Sequence, residues 1–141
     1  MSADAFSFEL TIPVLWGDMD ALGHVNNTRY FTWFEAARIG YFGKLAAMGA
    51  KLEDGVGPIL ATTTCDYLRP VAFPGDVKVG ARVSEVGNSS LRMAYAIART
   101  DAPEILCARG TGVVVLVRYA TLEKVRVPDS ARAAISSLER L

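Results

Sequence analysis

Apolar residues alternate imperfectly with polar ones near the start of the chain, where Phe6, Phe8, Leu10, Ile12 and Val14 share one face of a period-two pattern. That alternation predicts a half-buried strand over residues 6–15. Pro13 has no N–H to give to a ladder, which places the strand at a sheet edge. From about residue 28 to residue 48 the period changes. Tyr30, Phe34, Ala37, Tyr41, Leu45 and Met48 recur at steps of three and four, the stripe of an amphipathic helix. Trp33 and Phe42 widen the stripe, so much of this helix should be enclosed. Asn26 or Asn27 supplies the side-chain oxygen of an N-cap, and Gly49 suits the C-terminal cap. A helix of about 21 residues is roughly 31 Å long at 1.5 Å per residue, enough to cross a small domain.

After Gly55 and Gly57 the pattern is that of strands until near the end. Residues 58–72 are rich in Ile, Thr, Val and Tyr, and Pro74-Gly75-Asp76 turns the chain into residues 77–86. There Val77, Val79, Ala81 and Val83 alternate with Lys78, Gly80, Arg82 and Ser84. Gly87-Asn88-Ser89 makes the next turn. Leu91, Met93, Tyr95 and Ile97 mark a further strand, Asp101-Ala102-Pro103 breaks it, and residues 104–119 form a long last one. Strands joined by turns this short are antiparallel. Ala108, Gly110 and Gly112 fall on one face of the last strand, where missing side chains either let a helix backbone lie close or mark a bend. Pro128 suits a first helical residue, and Ala131, Ile135, Leu138 and Leu141 form a short amphipathic C-terminal helix, a surface packing element. The order strand, long helix, four strands, short helix is an α+β arrangement with a five-stranded antiparallel sheet. One helix leaves a sheet face bare and the edge strands unpaired, which favours self-association.

The chain has 141 residues, an ordinary length for one domain spanning 1–141. Lys plus Arg and Asp plus Glu number 15 each, so no net field draws the chain to nucleic acid or to an anionic membrane. No basic leader with an apolar run and no membrane-length apolar stretch occurs, so a cytoplasmic protein is expected. Cys65 and Cys107 lack CxxC spacing and read as reduced, small apolar filler in mid-strand.

Exclusion narrows the chemistry. A single histidine, His24, denies the chain a two-histidine metal site, and no P-loop, dinucleotide fingerprint or GxSxG elbow is present, so neither metal nor cofactor is expected. What remains is the stretch WGDMDALGHVNNTRYF, in which Asp18 and Asp20 precede a turn and a helix start. The first N–H groups of a helix have no partner within it and can donate to an oxygen gaining negative charge. Asn27 is placed to present such an N–H, and an aspartate facing it across the turn suits attack on an activated carbonyl. Turn capping by Asp18 or Asp20, and a turn-orienting or substrate-contacting His24, are the other roles open to these residues.

WGDMDALGHVNNTRYFTWFEAAR, with YLRPVAFPGD downstream, resembles the signature of hotdog-fold acyl-CoA thioesterases of the 4-hydroxybenzoyl-CoA thioesterase type. The resemblance implies a five-stranded antiparallel sheet wrapped around one long helix, in homodimers or homotetramers. It makes Asp20 the catalytic carboxylate, as nucleophile or general base, and the Asn27 N–H the donor that polarises the thioester carbonyl. The substrate it implies is an acyl-CoA, or the thioester of an acyl carrier protein. GHVNN stands where the aromatic-substrate enzymes have a more apolar, tyrosine-bearing version, which favours the broader acyl-CoA hydrolases. On this reading His24 contacts substrate, and Tyr30 and Phe34 shape an acyl tunnel. Arg69, Ser89, Ser90 and Arg92 meet the CoA arm. Glu35 is a reserve carboxylate whose other role is an ion pair with Arg38. An enoyl-thioester hydratase and a non-catalytic acyl-thioester binding module are the competing functions.

Overall fold

The computed structural model describes residues 6–140; Leu141, expected on the last helix, lies outside the described residues, as do residues 1–5. Strand β1 (Phe8–Pro13) is followed by a short 3-10 turn at Trp16–Asp18 and by helix α1 (Asn27–Ala47). Strands β2 (Val56–Tyr67), β3 (Asp76–Val86), β4 (Ser90–Arg99) and β5 (Leu106–Arg118) then build the sheet with β1 in the order β1-β3-β4-β5-β2. Every neighbouring pair is antiparallel. A two-residue β6 (Glu123–Lys124) adds to the end of β5, and helix α2 (Asp129–Glu139) closes the described chain. The sixth strand is too short for any periodicity to announce. Pro13 does sit in an edge strand, paired on one side only.

Helix α1 begins where Asn26 Oδ1 accepts the Thr28 N–H at 2.9 Å. It stops at Gly49, whose φ of 103° follows a helix end closed by Gly49 N–H to Ala46 and Ala50 N–H to Leu45 carbonyl bonds. That paired bonding satisfies carbonyls the helix would otherwise leave open. The buried face of α1, with Tyr30, Trp33, Phe34, Ala37, Tyr41 and Leu45, packs in one core with Val77, Val79, Ala81 and Val83 of β3 and Met93, Tyr95 and Ile97 of β4. Phe34 stacks on Tyr95 with ring centroids 4.7 Å apart. A Cβ at Gly110 would run into the Phe34 ring, so the small residues of β5 make room for an aromatic ring rather than for helix backbone. Enclosing a side chain of this size contributes about 1.5–3 kcal/mol.

Several boundaries differ from the sequence expectation, the first strand being trimmed from residues 6–15 to Phe8–Pro13. The second strand ends at Tyr67 rather than Ala72, because the chain turns at Pro70 and sends Val71 into the core, fully buried. The last long strand starts at Leu106. Pro128 is the N-cap of α2 rather than its first helical residue. Helix α2 is also more than a surface element. Ala131, Ala134 and Ile135 are buried, and a single Glu139 oxygen accepts from the Tyr41 hydroxyl at 2.5 Å, the Val83 N–H at 2.9 Å and the Ser7 hydroxyl at 2.9 Å. Burial, and then this bond, hold the Tyr41 hydroxyl well above the usual phenol range.

Strand β2 is the second edge, and Ile59, Leu60 and Tyr67 stand exposed along it. Among the described residues no helix is long and apolar enough to cross a membrane.

Candidate active site

Asp18 and Asp20 are two residues apart and have opposite surroundings. Asp18 is buried; its Oδ2 accepts the Leu15 N–H at 2.8 Å and its Oδ1 lies 3.5 Å from Arg29 Nε on the first turn of α1. Its own carbonyl accepts the Asn26 N–H at 2.9 Å. Asp18 therefore ties the 3-10 turn to the helix start. The Asp20 backbone N–H donates to the His24 carbonyl at 2.8 Å, and its Oδ1 accepts from the N–H of Leu22 at 2.8 Å and, more weakly, of His24 at 3.4 Å. Gly23, at φ 85°, lets the chain reverse this tightly. Oδ2 of Asp20 has no hydrogen-bond partner among the described residues. One oxygen anchors the carboxylate and leaves the other available.

Asp20 borders a cleft of about 350 Å³ together with His24, Asn27, Tyr30, Tyr67 and Arg69. On its far side the helix begins. The Thr28 N–H is taken by Asn26 Oδ1 and the Arg29 N–H by the Asn26 carbonyl, whereas the Asn27 N–H has no partner among the described residues. An unpaired donor at the positive end of a 21-residue helix, beside a partly free carboxylate, suits a reaction that builds negative charge on a carbonyl oxygen.

The sequence reasoning did not single out Tyr67. Its hydroxyl donates to the Asn27 carbonyl at 3.0 Å, and its ring meets Tyr30 edge-on with centroids 4.9 Å apart. The end of β2 thereby clamps the first turn of α1. The available signal was the tyrosine that opens YLRP, two residues after Cys65 on the same strand face. Burial pushes the Tyr30 hydroxyl up to about 12, so Tyr30 is a neutral wall of the cleft.

Other residues expected at the site lie elsewhere. Phe34 is not among the cleft residues, because its ring is enclosed between Tyr95 and Gly110. Ser89, Ser90 and Arg92 belong to the turn between β3 and β4 and to the start of β4. The cleft lies by the Asp76 end of β3, whereas these residues stand level with Glu85 and Val86 at its other end, several residues along the sheet at about 3.3 Å each. Arg92 pairs with Glu85 at 3.6 Å. Glu35 is exposed and lies 3.9 Å from Arg38, the ion pair its spacing suggested. Burial pushes the Cys65 thiol up to about 11 and raises Cys107 as well, leaving both neutral. Among the described residues no three His, Cys, Asp or Glu side chains converge to hold a metal.

A long helix laid on an antiparallel sheet, with an acid loop facing the helix N-terminus, defines a hotdog-fold protein of thioesterase type. The chain belongs to the thioesterase-like superfamily, whose family model matches residues 14–135. It is 36% identical over 91 residues to the protein YsmA of Bacillus subtilis, a match that covers 64% of this chain and 60% of YsmA. The solved structure of the PA2801 protein of Pseudomonas aeruginosa, a candidate thioesterase, is 38% identical and superimposes with a TM-score of 0.81 over 91% of this chain and 97% of that one. A thioesterase of Thermus thermophilus solved with coenzyme A and zinc is 30% identical, with a TM-score of 0.81 and 96% of each chain covered.

Proposed function

We propose that this protein is an acyl-CoA thioesterase, hydrolysing a thioester to the free acid and CoA, with Asp20 as base or nucleophile and the Asn27 N–H as oxyanion donor. The chain is an enzyme of the thioesterase class. The observation that carries the reading is the half-anchored Asp20 carboxylate sharing a cleft with the partnerless N–H that opens α1. With Asp20 as base, Oδ2 takes a proton from water, the hydroxide forms a C–O bond to the thioester carbon, and the C–S bond breaks. The proton then passes to the departing CoA thiolate. With Asp20 as nucleophile, the carboxylate displaces the thiolate and water cleaves the resulting anhydride. In both, the carbonyl oxygen gains charge toward Asn27, and a thiolate leaves without needing much protonation.

The CoA arm has one cation waiting at the cleft, Arg69, which suits a phosphate. His24 and Tyr30 contact the substrate on this reading. Ser89, Ser90 and Arg92, at the other end of the sheet, meet the CoA arm from a second copy of the chain on this reading. An antiparallel pairing of two β2 edges would supply one, in a homodimer or a tetramer built from it. The bound coenzyme A of the Thermus thermophilus relative supports a CoA thioester over that of an acyl carrier protein.

Thiol release from a panel of acyl-CoA esters, with Asp20→Asn as control, tests the assignment. Hydrolysis by the parent and loss of it in the variant is expected. Hydration of an enoyl-CoA without thiol release would make the protein a hydratase, and tight binding with neither reaction would make it a binding module.

A further inference from the structure

The loop that carries Asp20 has a second support outside the cleft. Residues 71–75 run alongside it and meet it at four places: the Val25 N–H donates to the Val71 carbonyl at 2.8 Å, and the Val14 N–H donates to the Gly75 carbonyl at 2.8 Å. The Phe73 N–H points at Met19 Sδ at 3.3 Å, and the Phe73 ring meets Trp16 edge-on at 5.7 Å. These contacts span both ends and the middle of the acid loop. Residues 71–75 have no strand partner among the described residues, so the carbonyls between Val71 and Gly75 must be fixed by something else.

That fixture is Arg99, the last residue of β4. Its Nη1 donates to the Ala72 carbonyl at 2.8 Å and its Nη2 to the Pro74 carbonyl at 2.8 Å. Asp101 holds the guanidinium in place from the other side, at 2.9 Å from Nε and 3.1 Å from Nη2. The planar fork can span two carbonyls two residues apart, which an ammonium cannot do in one geometry. Gly75, at φ 127°, leaves room for it, since a Cβ there would collide with the guanidinium. The Asp101 pairing raises the Arg99 pKa and lowers that of Asp101. None of the hydrogen bonds of Arg99 reaches a cleft residue.

We infer that Arg99 is a positioning residue: by bolting residues 71–75 to the end of β4, it holds the acid loop so that Asp20 stays opposite the Asn27 N–H. The inference rests on the reading of Asp20 as base or nucleophile. A displacement of about 1 Å at a reacting group can lower a rate about 10²-fold, so the effect belongs in kcat rather than in substrate affinity.

A double-mutant cycle on acyl-CoA hydrolysis tests it, with each variant assayed well below its own thermal midpoint. Arg99→Ala should lower kcat roughly 10- to 100-fold with KM little changed, and Arg99→Lys, able to hold one carbonyl at a time, should recover part of the loss. Introduced into Asp20→Asn, Arg99→Ala should lower the residual rate less than about twofold, because the group it positions is gone. The same fold-loss in both backgrounds, or a parental kcat in Arg99→Ala, overturns the inference. If Arg99→Ala does not fold, Arg99→Lys carries the cycle under the same criteria. A near-parental rate for Asp20→Asn alone would instead remove the reading of the site, and so is distinguishable from a failure at Arg99.

Discussion

Glu139 on α2 and Asp20 in the acid loop are carboxylates that each take their donors on one oxygen, and they differ in where those donors come from. One oxygen of Glu139 takes three donors, from Ser7, Tyr41 and Val83, which stand 132, 98 and 56 residues away in sequence. Asp20 takes its donors from Leu22 and His24, two and four residues on, and keeps Oδ2 unpartnered among the described residues. The first arrangement joins α2, α1, β3 and the chain before β1. The second folds a short loop and leaves an oxygen without a partner among the described residues, beside a cleft. A carboxylate bonded across distant elements holds structure; one bonded within its own loop can be spared for chemistry.

The largest expected effect lies at the cleft. Asp20→Asn should lower thiol release by about 10² to 10⁴ while the unfolding midpoint moves little, because the amide oxygen still accepts from Leu22 and His24. Parallel kinetics and thermal denaturation check this, and a rate within threefold of the parent would erase the contrast. Glu139→Ala should do the reverse. Leaving the fully buried Tyr41 hydroxyl and the Val83 N–H without their acceptor costs about 3 kcal/mol in urea unfolding, with kcat measured well below the unfolding midpoint nearly unchanged.

Asp18→Ala sharpens the comparison on a smaller scale. It removes the acceptor of the Leu15 N–H and the partner of Arg29, so it should cost about 1–2 kcal/mol of stability and lower kcat less than about tenfold. A loss as large as that of Asp20→Asn would exchange the two roles. The smallest effect concerns Cys65. Burial penalises its thiolate and pushes the thiol up to about 11, so near pH 8 it stays protonated. Its alkylation by iodoacetamide should be slower in the folded chain than in urea and should accelerate only as pH approaches that value. Fast labelling of the folded protein near neutral pH would refute the enclosure of Cys65.

Much of this was legible in the chain because it is local. The three- and four-residue spacing of Tyr30, Phe34, Ala37, Tyr41 and Leu45 fixes which face of α1 is buried, and the Asn26 cap and Gly49 end are set by bonds within a few residues. The alternation of Val77 to Val83 likewise specifies the inner face of β3. The acid loop, the turn at Gly23 and the helix start lie within ten residues, so their proximity follows from chain geometry. The family resemblance then singled out Asp20 among the carboxylates.

Other features depend on residues that only folding brings together. Phe34 looked like a tunnel wall, but the ring finds Tyr95 and Gly110, on strands whose register no local pattern gives. The end of β2 supplies Tyr67 to Asn27 across 40 residues, and Glu139 turns a helix that reads as a surface element into a tie between α1 and β3. Ser89, Ser90 and Arg92 stand at the far end of the sheet because antiparallel strands alternate their turns between two ends. The longer elements, their buried faces and the acid-turn-helix order follow from the chain alone, since short-range sterics and hydrophobic period act within a few residues. Which carboxylate gathers donors from distant segments, and which is bonded within its own loop beside a cleft, depended on the fold, because Ser7, Tyr41 and Val83 meet Glu139 only after the sheet has closed over the helix.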